Sequence, residues 1–240
     1  MRVACYTGTR NLYEAMIPAV KSLILNSNVE KIYLLIEDDT FPYQLPHYVE
    51  TINVSNQEYF LKDGPNMKSH FTYMALMRAA VAKMFPQYDK MLVLDVDTII
   101  TRDISELFDI DLGDNYFAAV AEPDRCKGGP NYTLDTYVNI GVTMYNLEKL
   151  RRSGKVDQVI KSLNMYQYPF MEQDCFNELC QGKILRLSNE YNSTNECKYP
   201  FTGYCRIPKI VHYAGVKLDD YFYKFDVQKY ARIPWSDLRK

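Results

Sequence analysis

The apolar residues of this chain fall into two kinds of run. Residues 2–7, Lys31–Ile36, Met91–Leu94 and Ile184–Leu187 are short blocks that read as strands. Met91–Leu94 is apolar on both faces, as strands buried inside a parallel sheet are. Between such blocks lie stretches with helical spacing. Tyr13–Leu25 carries Met16, Ala19, Val20, Leu23 and Ile24 on one side, with Pro18 expected to kink it or delay its start. Residues 69–85 form the next expected helix, closed by Pro86, with Phe71, Met74, Ala75, Val81, Ala82 and Phe85 as its core face. Further helices are expected over Asp103–Phe108, from Leu147 onward, and across Gln173–Leu179. Further strands are expected over Thr51–Val54, Tyr116–Ala121, Lys209–His212, and Tyr137–Tyr145 with an interruption at Asn139-Ile140-Gly141. Residues 40–50 and 192–208 lack periodicity, residues 125–133 read as a loop able to flap over a site, and residues 218–240 form an aromatic tail. No linker divides the chain, so one domain over residues 1–240 is expected. Alternation of strand and helix implies an α/β fold: a mostly parallel central sheet flanked by helices, with ligands beyond the C-terminal strand ends.

The stretch Met91–Ile100 carries the chemistry. After the apolar strand it breaks into Asp95-Val96-Asp97. Strand side chains alternate, so the two carboxylates leave on one side and Val96 on the other. Two acids aimed at one spot repel each other unless something positive lies between them. A hard divalent cation, itself carrying a diphosphate, meets that need. A D-x-D alone also reads as a solvated strand exit, and its weight comes from what surrounds it. Asp38-Asp39, by contrast, reads as a loop closing the second strand.

Composition narrows the partners. The 240 residues are 47% hydrophobic and 24% charged, with a formal net charge of −2, which gives no basic surface for nucleic acid. No apolar run approaches the roughly 18 residues of a membrane span, and no signal-peptide core precedes the first strand, so a cytoplasmic chain is expected. The six cysteines form no C-x-x-C pair, which argues against a zinc site. Cys5 reads as a small core residue, and Cys197 and Cys205 would pair only in an oxidising compartment. The 21 tyrosines suit sugar or peptide surfaces as well as ordinary packing.

Four stretches in order carry a resemblance: Tyr88-Asp89-Lys90 leading into Met91–Ile100, Tyr137-Val138-Asn139-Ile140-Gly141-Val142, Glu172-Gln173-Asp174-Cys175-Phe176-Asn177, and His212-Tyr213-Ala214-Gly215-Val216-Lys217. Together they resemble the family 8 glycosyltransferases, the group that includes glycogenin and bacterial lipopolysaccharide galactosyltransferases. The resemblance implies a GT-A type nucleotide-sugar-binding domain and a retaining, metal-dependent transfer of a hexose from UDP-glucose or UDP-galactose. It implies Asp95, Asp97 and His212 as ligands of Mn²⁺ or Mg²⁺; imidazole favours manganese. It places Thr9, Tyr13, Arg78, Asp95, Val96, Asp97, Gly215 and Lys217 along the nucleotide sugar, with Lys217 on the diphosphate. It puts Asp124, Asn139, Glu172 and Gln173 around the donor sugar and reaction centre. Glu172 stands where the family usually has Asp, and Leu218-Asp219 replaces its Pro-Trp. The acceptor is a glycan, a lipid-linked sugar or a protein, and no residue names it. Two other readings remain: a sugar nucleotidyltransferase, against which the single glycine of the first turn speaks, and a non-catalytic nucleotide-sugar-binding module on the same fold.

Overall fold

The computed structural model describes residues 1–69, 72–122, 137–194, 207–214 and 221–238. In chain order its elements are β1 (Val3–Gly8), α1 (Tyr13–Leu25), β2 (Lys31–Ile36), β3 (Val49–Asn53), α2 (Met77–Met84), β4 (Lys90–Leu94), β5 (Thr98–Ile100), α3 (Ser105–Asp109) and β6 (Phe117–Ala121). Next come β7 (Val138–Asn146), α4 (Leu147–Arg152), α5 (Lys155–Met165), α6 (Met171–Leu179), β8 (Ile184–Leu187), β9 (Ser193–Thr194), β10 (Ile210–His212) and α7 (Tyr221–Ala231).

Seven strands form the central sheet in the order β3-β2-β1-β4-β7-β6-β8. All neighbours run parallel except β7, which is antiparallel to both β4 and β6. Alternation sorts its side chains into two cores. Val3, Cys5, Met91 and Val93 meet α2, α4, α5 and α6 on one face. Ala4, Tyr6, Leu92 and Leu94 meet α1 and α3 on the other. Val96 belongs to this second core, as the alternation past Leu94 requires. Cys5 is buried in the first, and no residue from 123 to 136, hence not Cys126, falls among those described.

Several elements differ from the sequence expectation. The helix expected over 69–85 is shorter: a 3-10 turn at Tyr73–Leu76 leads into α2, Thr72 caps the turn by accepting from the Met74 N–H, and Phe71 lies outside the described residues. The helix from Leu147 is two helices, parted at Gly154, whose φ of +68° is left-handed and suits glycine. The break expected at residues 139–141 is a shift in pairing: Ala119 faces Thr143 while Val120 faces Asn139, and the strand itself runs on. The aromatic tail holds a helix, α7, packed against α1. Finally, Thr98–Ile100, assigned no element from the sequence, pairs antiparallel with β10, and with β9 makes a second sheet of three short strands.

Candidate active site

β4 delivers Asp95, and the turn into β5 sets the direction of Asp97. The Asp95 N–H donates to the Gly141 carbonyl at 2.8 Å, tying the strand end to β7. The Thr98 hydroxyl donates to the Asp95 carbonyl at 2.6 Å, so residues 95–98 form a tight turn that sends the chain into β5. In the second sheet His212 lies opposite Thr98, and the Tyr213 N–H donates to the Asp97 carbonyl at 2.9 Å. Strand pairing thus carries His212 to the acids from far along the chain.

The three side chains converge. One ligand atom from each of Asp95, Asp97 and His212 lies within 4.8 Å of the others. His212 Nε2 is 3.2 Å from Asp97 Oδ1 and 3.5 Å from Asp95 Oδ2. Neighbouring ligands of an octahedral cation stand roughly 3 Å apart, so the donor types and spacings suit one. The imidazole is buried, whereas the carboxylate side chains keep 33% and 27% of their exposure, which leaves them reachable from one side. Gly141 makes room: a Cβ there would overlap the His212 ring and come within 2.8 Å of Asp95 Oδ2. Burial alone would depress the His212 pKa, but the Asp97 and Asp95 carboxylates outweigh it and raise it. Burial likewise pushes Asp97 up, and His212 overcomes it, holding Asp97 below the usual carboxylate range.

Arg78, near the start of α2, is 3% exposed. Its Nη1 donates to Asp95 Oδ1 at 2.5 Å and lies 3.7 Å from Glu172 Oε1. Its Nε and Nη2 have no partner among the described residues, nor has the buried Tyr145 hydroxyl. Buried guanidinium N–H groups rarely go unpaired, since each costs free energy. Glu172 sits in the first turn of α6, 5% exposed. Burial pushes its pKa up to about 7, against the pull of Arg78.

Beside this charged group runs a network of amides. Gln173 accepts from the Ile140 N–H at 3.1 Å and donates from Nε2 to Glu122 Oε2 at 2.9 Å and to the Tyr137 hydroxyl at 3.0 Å. Tyr137 donates to Asp174 Oδ1 at 2.6 Å. Asn139 donates to Glu122 at 3.1 Å, and Asn192 bridges Asn139 to His212. Asn177 clasps Val138, accepting from its N–H at 2.8 Å and donating to its carbonyl at 2.9 Å, so the end of α6 holds the start of β7.

Of the residues expected from sequence, Asp95, Asp97, His212, Arg78 and Glu172 form one charged group, and Asn139 and Gln173 join it through Asn192. Asp124, Gly215 and Lys217 lie outside the described residues. Thr9 and Tyr13 stand where β1 ends, as expected, with their hydrogen bonds made locally. The Thr9 hydroxyl donates to Asn11 at 2.6 Å. The Tyr13 hydroxyl donates to Asp38 at 3.2 Å and accepts from the Glu37 N–H at 3.1 Å. Asp38 also accepts from Arg10 and Thr40, which makes the Asp38-Asp39 pair the expected strand-end loop. Glu122 and Asn192 carry no signal in the sequence: one follows a strand, the other sits in an aperiodic stretch.

The fold is that of the GT-A glycosyltransferases. The chain superposes with a TM-score of 0.70 on the galactosyltransferase LgtC, solved in complex with donor and acceptor sugar analogues, at 18% identity and covering 98% of both chains. With the WbbM bifunctional glycosyltransferase the TM-score is 0.74, over 98% of this chain and 50% of that one. The chain belongs to glycosyl transferase family 8, whose model matches residues 4–217. Among sequence relatives, the glycosyltransferase GlyE of Streptococcus pneumoniae serotype 4 is 25% identical over 98% of this chain. The lipopolysaccharide 1,2-glucosyltransferase of Escherichia coli K12 is 32% identical over 44% of it. The chain spans 60% of the length of the first and 33% of the second. No helix among the described residues is long and apolar enough to cross a membrane.

Proposed function

We propose that this chain is a metal-dependent, retaining glycosyltransferase that moves a hexose from UDP-glucose or UDP-galactose to a glycan, lipid-linked or protein acceptor. The observation that carries the reading is the convergence of Asp95, Asp97 and His212 at the end of a central strand. Beside them stands a buried arginine with donors that have no partner among the described residues. A divalent cation, Mn²⁺ before Mg²⁺ given the imidazole, would supply there the positive charge that a departing diphosphate demands. Lys217, a few residues beyond His212 in the chain, is the sequence's candidate for a second charge on the same phosphates.

The protein's own groups do the rest. Arg78 holds Asp95 in place with Nη1 and offers Nε and Nη2 to an oxygen-rich ligand. Glu172 and Asp124 bind sugar hydroxyls in this reading. Gln173 has both amide hydrogens committed to Glu122 and Tyr137 and one of its two oxygen lone pairs committed to Ile140. Its oxygen is therefore presented in one fixed orientation, suited to steadying positive charge at an anomeric carbon, while an amide is a poor nucleophile. Retention and the UDP-hexose donor rest on family membership and on the names of the glucosyl- and galactosyltransferase relatives.

The test is a nucleotide-sugar panel with Mn²⁺, following UDP release and thermal stabilisation. UDP-glucose or UDP-galactose should be slowly hydrolysed, and Asp97→Ala should lose at least about a hundredfold of that rate with the fold intact. Release that continues unchanged in EDTA or in Asp97→Ala overturns the reading. Pyrophosphate in place of UDP would mark a nucleotidyltransferase instead.

A further inference from the structure

His212 has two ring nitrogens, and only one of them faces the acids. Nε2 points at Asp97 and Asp95, while Nδ1 lies 2.9 Å from Asn192 Oδ1. A neutral imidazole carries one hydrogen, and a cation can be bound at Nε2 only when that hydrogen is on Nδ1. Which tautomer forms depends on which end of the Asn192 amide meets the ring, and amide ends must be read from their neighbours.

Here the neighbours decide it, starting from a group that cannot be reversed. The backbone N–H of Gly141 can only donate, and it meets Asn139 at 2.8 Å, so the Asn139 atom there is oxygen. The Asn139 nitrogen is then turned to Glu122, a carboxylate that accepts, at 3.1 Å. Asn192 approaches that same Asn139 oxygen at 2.8 Å and must present its own nitrogen. Its oxygen is what remains for the imidazole. All four side chains are buried, between 2% and 8% exposed, so water does not compete for these bonds. The placement is built into the second sheet: Asn192 immediately precedes β9, whose Thr194 pairs with His212 itself.

We propose that Asn192 is a positioning residue for the cation site: its side-chain oxygen keeps the His212 hydrogen on Nδ1 and turns the Nε2 lone pair to the space between Asp95 and Asp97. This rests on the reading of those three residues as a cation site. Asn192 acts through His212 alone, and mutations of such outer partners cost roughly ten- to a hundredfold in metal affinity.

The experiment is a double-mutant cycle of Mn²⁺ binding in the presence of UDP, read from the electron paramagnetic resonance of free Mn²⁺, with thermal unfolding of each protein as the folding control. Asn192→Ala should weaken Mn²⁺ binding roughly ten- to a hundredfold. His212→Ala should weaken it at least as much, and the double variant no more than His212→Ala does, because the two act in series. Asn192→Ala binding Mn²⁺ like the wild type, or effects that add in the double variant, would overturn the role of Asn192. His212→Ala binding like the wild type would instead overturn the cation-site reading beneath it. A second measurement needs no variant to fold: nitrogen-15 spectra of histidine-labelled wild-type protein with UDP and diamagnetic Cd²⁺. The His212 ring should carry its hydrogen on Nδ1, and a hydrogen on Nε2 overturns the proposal.

Discussion

The two halves of the site are built on opposite terms. The amide half, made of Asn139, Gln173, Asn177, Asn192 and Tyr137, is buried and bonded in a continuous chain that runs through the carboxyls of Glu122 and Asp174. The charged half, made of Asp95, Asp97, His212, Arg78 and Glu172, is perturbed. It holds an imidazole and a carboxyl with raised pKa values, a depressed carboxylate, and two guanidinium nitrogens without a partner among the described residues. A satisfied network is rigid, because every alternative orientation leaves a buried polar group unpaired. A frustrated one is stabilised by whatever arrives to pair it. The difference teaches where to look for function: the amide half sets geometry, and the charged half is where a ligand gains free energy.

The largest expected effect comes from the residue where the halves meet. Gly141→Ala needs no unusual backbone angle, so its cost is spatial: the new methyl would overlap the His212 ring beside Asp95. Mn²⁺ affinity should fall roughly a hundredfold, the upper range for disturbed metal sites. Wild-type Mn²⁺ binding by this variant would show that the glycine is not what keeps the charged half open.

Next is pH. Asp97 helps His212 keep a proton on Nε2 to a higher pH than a free imidazole would, and a cation must displace that proton. Mn²⁺ affinity should therefore rise about tenfold per pH unit below the His212 pKa and level off above it. Titration between about pH 6 and 8 checks this, and a flat profile breaks it. In the amide half the corresponding prediction concerns stability. Asn177→Ala strips the Val138 N–H and carbonyl of their partner and should cost about 1–3 kcal/mol in chemical denaturation, with little change in Mn²⁺ affinity. Loss of Mn²⁺ binding at unchanged stability would mean the halves are not distinct.

The same contrast explains what is legible in the sequence. Asp95 and Asp97 extend an apolar strand with a period of two, a local rule, so the acid pair and the opposite direction of Val96 can be read from a single short stretch. His212 becomes legible only through resemblance, because its meeting with Asp97 depends on two three-residue strands pairing across the fold. For the same reason Thr98–Ile100 reads as no element of its own: nothing in it says that its partner is β10. Helix α7 escapes a sequence reading because the apolar positions of Tyr221–Ala231 follow no helical period along the sequence. Glu122 and Asn192 have no periodic signature at all. Polar networks are defined by which distant backbone N–H groups they meet, and spacing along the chain does not encode that.

The sharpest test of the comparison lies with Glu172. The family resemblance leads one to expect Asp here, one methylene shorter than the Glu this chain carries. Here the carboxyl lies in the buried space beside Arg78, 3.7 Å from Nη1. Its pKa is raised to about 7, first by burial. A carboxyl with a folded-state pKa above its unfolded value binds a proton more tightly when folded, so between roughly pH 4.5 and 7 folding takes up a proton and stability falls as pH rises. Replacing it with an amide of the same shape removes that slope. Glu172→Gln should be close to wild type in stability at pH 4.5 and more stable at pH 8, by on the order of 2 kcal/mol. Urea denaturation of both proteins at the two pH values measures the difference directly. If Mn²⁺ is added at pH 8, the advantage should shrink, because a cation held at Asp95 favours the charged form of Glu172 against the burial that raises its pKa. Parallel stability curves for the two proteins across this range would place Glu172 among the satisfied residues, and the division between a rigid amide half and a frustrated charged half would lose its clearest member.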